Sequence, residues 1–152
     1  GGATARVRAE LWPGSPQILM DGAHTPESVR TVIRIAEELQ PDIGNRVLIF
    51  GSVKGKRPRL MLDALSPHFS TIIIARPGTF KESDTDELYR LCRDVGGDCL
   101  KLDVMEDAIR TARSLVADRA GALVVVTGSF PLIGEARRVL TQERKRDGET
   151  GG

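Results

Sequence analysis

This sequence has few aromatic residues, no excess of either charge and no long apolar run, and each of these shortages excludes a class of protein. Only 4% of the 152 residues are aromatic, too few for the stacking platforms that bind single-stranded nucleic acids. The 22 Lys and Arg residues offset 21 Asp and Glu residues, so a net charge of +1 provides no strong basic field. The longest apolar runs span about six residues, whereas a membrane helix needs about 20. We therefore expect neither a nucleic-acid nor a membrane partner.

Cysteine is equally scarce. Cys92 and Cys99 are the two cysteines of the chain, and they do not form a CxxC pair. Neither a metal site nor a disulfide framework is expected from this spacing, and reduced thiols in the core of a cytoplasmic protein are the better interpretation. No charged-then-apolar leader opens the sequence, so secretion is not indicated.

Short apolar runs alternate with amphipathic stretches, and 40% of the residues are hydrophobic, enough for the core of one domain. Strands are predicted at 7–12, 18–20, 47–50, 71–74, 99–102 and 123–126. Several are continuous Val, Ile and Leu runs, as in strands covered on both faces by helices. The pattern predicts an α/β fold with a mostly parallel, doubly wound (Rossmann-like) sheet of about six strands, an antiparallel N-terminal edge strand and helices on both faces. Residues 1–5 and 141–152 lack periodicity and are predicted to be flexible termini.

In such sheets ligands bind beyond the carboxyl ends of the strands. The loops there are Asp21–Thr25, Gly51–Arg57, Arg76–Ser83 and Thr127–Pro131. The second loop is not a P-loop, because three residues separate Gly51 from Gly55 and Arg57 replaces the hydroxyl residue. Lys54 or Lys56 can contact a phosphate there, or form a solvated basic turn.

Asp21, His24 and Ser129 carry the most chemistry. Asp21 can accept a hydrogen bond from a ligand hydroxyl or stabilise its own loop, and His24 can face the same crevice or cap backbone. Ser129 can bind an anion at a helix N-terminus or only cap that helix. A Ser129-His24-Asp21 triad is not expected, because the Gly-x-Ser-x-Gly elbow is missing.

Together these loops resemble the folylpolyglutamate synthase/dihydrofolate synthase family of the Mur ligase superfamily. Residues 21–26 (DGAHTP) resemble its DGAHNP motif, and residues 126–137 (VTGSFPLIGEAR) resemble VTGSFYLVGEVR. Phe50 to Ser52 with Lys56 correspond to FGA or FGS followed by DKD, and Arg8 with Glu10 to the PGRxE segment. The likeness spans about residues 6 to 140 and implies the C-terminal, glutamate ligase domain of this family (residues 6–140).

The resemblance implies ATP-dependent amide formation, in which a γ-carboxyl of folate becomes an acyl phosphate that the amine of L-glutamate attacks. It assigns ATP binding to Arg8, Asp21 and His24, and the glutamate side to Ser129 and Phe130. His24, Lys56 and Ser129 would be catalytic, and no residue here would bind a metal. The family's N-terminal P-loop ATPase domain would be the partner, in cis or in trans, and would hold most of the ATP and Mg²⁺. This chain alone, expected in the cytoplasm, would then be inactive.

Some residues depart from the family pattern. Thr25 replaces Asn, Val7 replaces Gly, and Pro131 replaces Tyr, while Gly55 and Arg57 replace both Asp residues of DKD. Two other functions stay open. One is a Mur-type ligase that joins a non-folate acid to an amino acid, and the other is a non-catalytic α/β nucleotide-binding module.

Overall fold

A computed structural model describes residues 9–78 and 83–151 of the chain, which form one sheet covered by helices on both faces. The strands are β1 (Glu10–Trp12), β2 (Gln17–Asp21), β3 (Arg46–Phe50), β4 (Thr71–Ile74), β5 (Cys99–Lys101) and β6 (Leu123–Thr127). The helices are α1 (Pro26–Leu39), α2 (Pro58–Leu65), α3 (Thr85–Asp94), α4 (Met105–Leu115) and α5 (Phe130–Gly151). Short 3-10 turns follow α1 and α2, at Ile43–Asn45 and Ser66–His68.

The strand order in the sheet is β1-β2-β6-β3-β4-β5. β1 pairs antiparallel with β2, and the other neighbouring strands pair in parallel. The predicted fold class is therefore confirmed, including the antiparallel strand at the N-terminal edge. β6, the last strand in sequence, lies between β2 and β3, so the C-terminal strand occupies a central position in the sheet.

The central strands are buried on both faces, as their continuous apolar runs predict. β3 and β6 are buried throughout. Alternate residues of each strand contribute to two separate cores, one packed against α1, α2 and α3 and the other against α4 and α5. In β4, for example, Ile72 and Ile74 face the first group of helices and Ile73 faces the second. This two-sided burial holds the loops at the strand ends on a rigid frame.

Helix α1 begins as the sequence predicts. Thr25 is the N-cap, and its side chain accepts a hydrogen bond from the backbone N–H of Ser28 while the Ser28 hydroxyl accepts one from the Thr25 N–H. This reciprocal pair satisfies two backbone donors that a helix start leaves open. Pro26 occupies the first turn, where its missing N–H costs nothing. Thr25 thus performs the capping role of the family's Asn.

The two cysteines correct the sequence-based prediction of reduced thiols. Cys92, buried on α3, forms a disulfide with Cys99 at the start of β5. The intervening turn reverses direction at Gly96, whose φ of +91° suits glycine, and Gly97 lies where any Cβ would crowd both sulfurs. A spacing of seven residues does not reveal this reversal. The disulfide also removes the thiols as support for a cytoplasmic location.

The periodicity lost after Leu140 does not end α5, which continues to Gly151. The flexibility predicted for residues 141–152 stays a prediction, and that predicted for residues 1–5 lies outside the described residues. Two contacts hold the extension against the rest of the domain. The guanidinium of Arg144 lies 4.4 Å from the centre of the Trp12 ring on β1, and Glu143 accepts hydrogen bonds from Arg113 of α4. Within residues 9–78 and 83–151, none of the helices combines the length and the apolar character that crossing a bilayer requires.

Candidate functional site at the carboxyl ends of the strands

The predicted site residues gather at one rim of the sheet, where β2, β6 and β3 end side by side. Asp21 at the end of β2 pairs with Thr127 of β6, and Thr127 pairs in turn with Phe50 of β3. The loops that follow these three strands therefore start from adjacent positions. Arg8 lies outside the described residues, so its predicted contact with phosphate stays a prediction.

Asp21 is buried, with 2% of its surface exposed. Its Oδ1 accepts a hydrogen bond of 2.8 Å from the backbone N–H of Ala23, whereas its Oδ2 is buried and has no hydrogen-bond partner among the described residues. Burial raises the pKa of this carboxyl group, and the hydrogen bond from Ala23 opposes the rise. Because a buried acceptor without a donor is costly, Asp21 is suited to a ligand that brings a donor such as a hydroxyl.

The chain segments at and after the ends of β2, β3 and β6 lie in close contact. The Thr127 hydroxyl donates a 2.7 Å hydrogen bond to the carbonyl oxygen of Asp21, and the Gly128 N–H donates one of 3.0 Å to Ala23. Gly128 has a φ of +128°, and a Cβ there would collide with the carbonyl oxygen of Gly51. Only glycine fits at this contact.

His24 and Phe130 form the outer part of the same rim. The Nδ1 of His24 lies 3.1 Å from the carbonyl oxygen of Gly22. Because a carbonyl only accepts, Nδ1 is the donor in this bond. The His24 and Phe130 rings are 5.2 Å apart and tilted by 53°, and Phe130 is 64% exposed. A ring so exposed, beside His24 and Gly22, is available to a ligand.

Ser129 directly precedes α5 and is buried. It is 2% exposed, and its Oγ accepts a 3.3 Å hydrogen bond from the N–H of Leu132. A hydroxyl used in this way closes a helix N-terminus. The structure thus places Ser129, two residues after Asp21's strand partner Thr127, as the cap of α5.

Lys56 lies apart from the Asp21 group, in a cleft of about 480 Å³ between the β3–α2 loop and the start of α3. Both basic and acidic side chains line the cleft. Its lining consists of Ser52, Val53, Lys54, Gly55, Lys56, Pro58, Arg76, Ser83, Asp84, Glu87 and Leu88. The rim therefore has two parts, which we call the Asp21 group (Asp21, His24, Ser129 and Phe130) and the Lys56 cleft.

Sequence reasoning missed several members of the Lys56 cleft. The loop Arg76–Ser83 was an expected ligand loop, but no role was predicted for Arg76, Asp84 or Glu87. Their only signal is that Arg76 follows a buried strand and that the two acids open the next helix. No three His, Cys, Asp or Glu side chains in the described ranges lie close enough together to hold a metal ion.

With this geometry the comparisons with known proteins agree. The family model of the Mur ligase, glutamate ligase domain matches residues 7–130, and the chain belongs to this family. The domain class that the fold and rim define is therefore that of an amino-acid ligase domain.

The similar proteins narrow the class. The probable bifunctional folylpolyglutamate synthase/dihydropteroate synthase of Halobacterium salinarum is 27% identical over 139 residues, which are 86% of this chain and 16% of the relative. The protein of the same name from Haloferax volcanii is 25% identical over 151 residues, 90% of this chain and 17% of the relative. The chain thus spans about a sixth of these relatives.

Among solved structures, the Mycobacterium tuberculosis folylpolyglutamate synthase complexed with ADP and AMPPCP has a TM-score of 0.78 and 26% identity, over 88% of this chain and 32% of that one. The Thermotoga maritima folylpolyglutamate synthase, at 21% identity and a TM-score of 0.73, shares the fold over 88% of this chain and 30% of its own. The predicted resemblance to the folylpolyglutamate synthase family is confirmed.

Proposed function

We propose that this domain closes over ATP and presents L-glutamate in a folylpolyglutamate synthase, which joins the glutamate amine to the γ-carboxyl group of a folate. The observation that carries the nucleotide half of the proposal is the buried Oδ2 of Asp21 without a donor. A ribose hydroxyl supplies such a donor, and the solved relative from Mycobacterium tuberculosis was crystallised with ADP and AMPPCP.

The roles divide between the two parts of the rim. In the Asp21 group, Asp21 binds the ribose and His24 lies beside the nucleotide, with the exposed Phe130 covering the glutamate side. Ser129 contributes by fixing the N-terminus of α5, whose backbone N–H groups favour negative charge. In the Lys56 cleft, the ammonium of Lys56 faces the acyl phosphate and the incoming amino acid. Arg8 contacts the phosphates of ATP.

Glutamate fits the Lys56 cleft by charge. Its two carboxylates match Lys56 and Arg76, and its ammonium matches Asp84 and Glu87, which line the same cleft. The cleft volume lies in the range of roughly 300–1,000 Å³ for small-molecule sites. Because positioning and charge neutralisation supply most of the catalysis in phosphoryl transfer, a domain that holds only part of both substrates is expected to be inactive alone.

The catalytic partner is an ATPase domain with a P-loop, joined to this domain or supplied separately. We assign Mg²⁺ to that partner, as the resemblance to the family implies. Bound there, Mg²⁺ would neutralise negative charge on the transferred group. The proposed location of the whole ligase is the cytoplasm.

The nucleotide half is tested by titrating the ¹⁵N-labelled chain with ADP and with AMPPCP, each with Mg²⁺. Amide resonances of Ala23, His24 and Gly128 should shift, and Asp21→Asn should weaken binding at least tenfold. The matched control is Asp63→Asn, which removes the same charge from an exposed position on α2. Unchanged spectra of the three amides would contradict nucleotide binding and leave a non-catalytic module as the better hypothesis.

The ligase half is tested by mixing the chain with the ATPase domain of a folylpolyglutamate synthase. Phosphate release should require tetrahydrofolate and L-glutamate together, and the chain alone should release none. Release that depends on glutamate but not on any folate would instead favour a Mur-type ligase with another acceptor acid.

A further inference from the structure

We infer that Arg76 selects an amino acid with a second carboxylate, and that Asp103 positions Arg76 for this task. The inference rests on the proposed function, since it specifies which group in the Lys56 cleft distinguishes glutamate from its neutral analogues. The backbone of Arg76 is fixed more firmly than that of a loop residue.

Hydrogen bonds extend the sheet beyond the last residue of β4. The Ala75 N–H donates a 2.9 Å hydrogen bond to Phe50 on one side, and the Arg76 N–H donates one of 3.2 Å to Asp103 on the other. The following residue, Pro77, restricts Arg76 to an extended conformation. Arg76 is therefore held between the ends of β3 and β5.

Strand alternation then determines where the side chain emerges. Ile72 and Ile74 face α1, α2 and α3, whereas Ile73 and Ala75 face α4 and α5. Arg76 continues the first series and so points to the face that carries α2 and α3. The Lys56 cleft lies on that face, and Arg76 lines it.

Asp103 lies near Arg76 but does not accept a short hydrogen bond from its guanidinium group. The Nη2 of Arg76 lies 3.7 Å from the Oδ2 of Asp103, beyond the 2.7–2.9 Å of a charge-assisted hydrogen bond. Asp86, another acid near Arg76, accepts a 2.6 Å hydrogen bond from Lys101. Asp103 therefore orients the guanidinium electrostatically, while its planar set of N–H groups can bind a carboxylate in bidentate fashion.

The acidic part of the cleft lining, at the start of α3, completes the discrimination. Asp84 and Glu87 lie on the cleft side of the N-terminus of α3, and the Oγ of Ser83 is buried there without a hydrogen-bond partner among the described residues. A ligand with an ammonium at this part of the lining and a carboxylate at Arg76 meets opposite charge at both ends. An amide at the second position would meet Arg76 without charge and would leave some of its donors unpaired. The cleft therefore favours glutamate over glutamine.

The test compares L-glutamate with L-glutamine, which differ in this one group. The ¹⁵N-labelled 152-residue chain is titrated with each, alone and then with the ATPase domain and AMPPCP. We expect shifts of the Ser52, Arg76 and Glu87 amides, and an affinity about tenfold higher for glutamate. Arg76→Gln should bring the glutamate-to-glutamine ratio close to one, and Arg76→Lys should retain part of it. Arg59→Gln, which removes an exposed charge paired with Asp94, should leave the ratio unchanged.

The positioning role of Asp103 needs a measurement that would not change if the residue were only structural. Asp103→Asn should lower the same ratio severalfold while the chain keeps its thermal stability, and Asp103→Glu should restore part of it. In the reconstituted ligase, both Arg76→Gln and Asp103→Asn should raise the KM for glutamate more than they lower kcat.

Three outcomes overturn the inference. They are an unchanged ratio in Arg76→Gln, shifts that map away from the cleft, and no binding of either amino acid under any condition. If the mixture forms folylpolyglutamate and Arg76→Gln keeps the ratio, the inference fails and the proposed function stands. If the chain prefers glutamate through Arg76 but the mixture forms no amide, the proposed function fails instead.

Discussion

Asp21→Asn should stabilise the domain at neutral pH while it weakens nucleotide binding. The wild-type carboxylate is buried, and one of its oxygens has no partner among the described residues. Its pKa is raised by burial, so the folded state holds the proton more tightly than the unfolded chain. Ionisation of Asp21 therefore costs folding free energy, about 1.4 kcal/mol for each pH unit by which the pKa rises.

The sign follows from proton linkage. Above the raised pKa the folded state carries the full cost of the buried charge, and below the ordinary value of 3.8 the cost is absent. Asn carries no charge and its Oδ1 can still accept from Ala23, although its buried amide group then lacks an acceptor. We expect Asp21→Asn to be more stable than the wild-type protein at pH 7, by the cost of the buried charge less that of the unpaired amide group. Each kcal/mol gained should raise the Tm by about 2–4 °C in a domain of this size.

The assay is urea unfolding of both proteins from pH 7 down to pH 4. The stability difference should be largest at pH 7 and should shrink as the pH approaches 3.8. Asp63→Asn, on the exposed face of α2, controls for the change in net charge and should show no such trend. A destabilised Asp21→Asn protein at pH 7, or a difference independent of pH, would refute the reasoning.

Three further predictions concern other parts of the molecule. Gly128→Ala should lose about 2–4 kcal/mol of unfolding free energy in chemical denaturation, because the position combines a positive φ with a backbone collision. Gly134→Ala, in open space on α5, should gain about 0.5–1 kcal/mol. Equal effects of the two substitutions would contradict the close contact of the loops. Reducing the Cys92–Cys99 disulfide with a dithiol should lower the unfolding free energy by about 2–3 kcal/mol, and the Cys92→Ala, Cys99→Ala protein should no longer respond to the dithiol. Phe130→Ala should change the Tm little, because the ring is 64% exposed, but it should weaken ligand binding at the rim about fivefold; a large loss of Tm would show that the ring is structural.

The fold follows from local patterns that survive in the sequence. β3, β4 and β6 are too apolar to have a solvent-facing side, so helices must cover both faces. The turn between β1 and β2 carries Pro13 and Gly14, which predicts an antiparallel pair. The cap at Thr25 and the stop at Pro41 bound α1 by their own chemistry.

Contacts between distant segments explain what sequence reasoning missed. The charged segment after Leu140 has no apolar face, yet it stays helical where Arg144 lies over Trp12 and Glu143 binds Arg113. The disulfide depends on a reversal at Gly96 that no spacing rule encodes. Arg76, Asp84 and Glu87 each look like ordinary surface charges, because the cleft that groups them exists only after α3 packs beside β4.

The position of β6 shows why no continuous motif could describe this rim. β2 and β3 are consecutive parallel strands in sequence, but they do not pair with each other, since β6 lies between them and arrives about a hundred residues after β2. Thr127 and Gly128 then bind the end of β2 and contact the start of the β3–α2 loop at Gly51. The Asp21 group and the Lys56 cleft are thus placed relative to each other by a two-residue segment that itself carries no charge. Glycine at 128 is required there by its positive φ and by its close approach to Gly51, and the spacing between a bound nucleotide and a bound amino acid would depend on it.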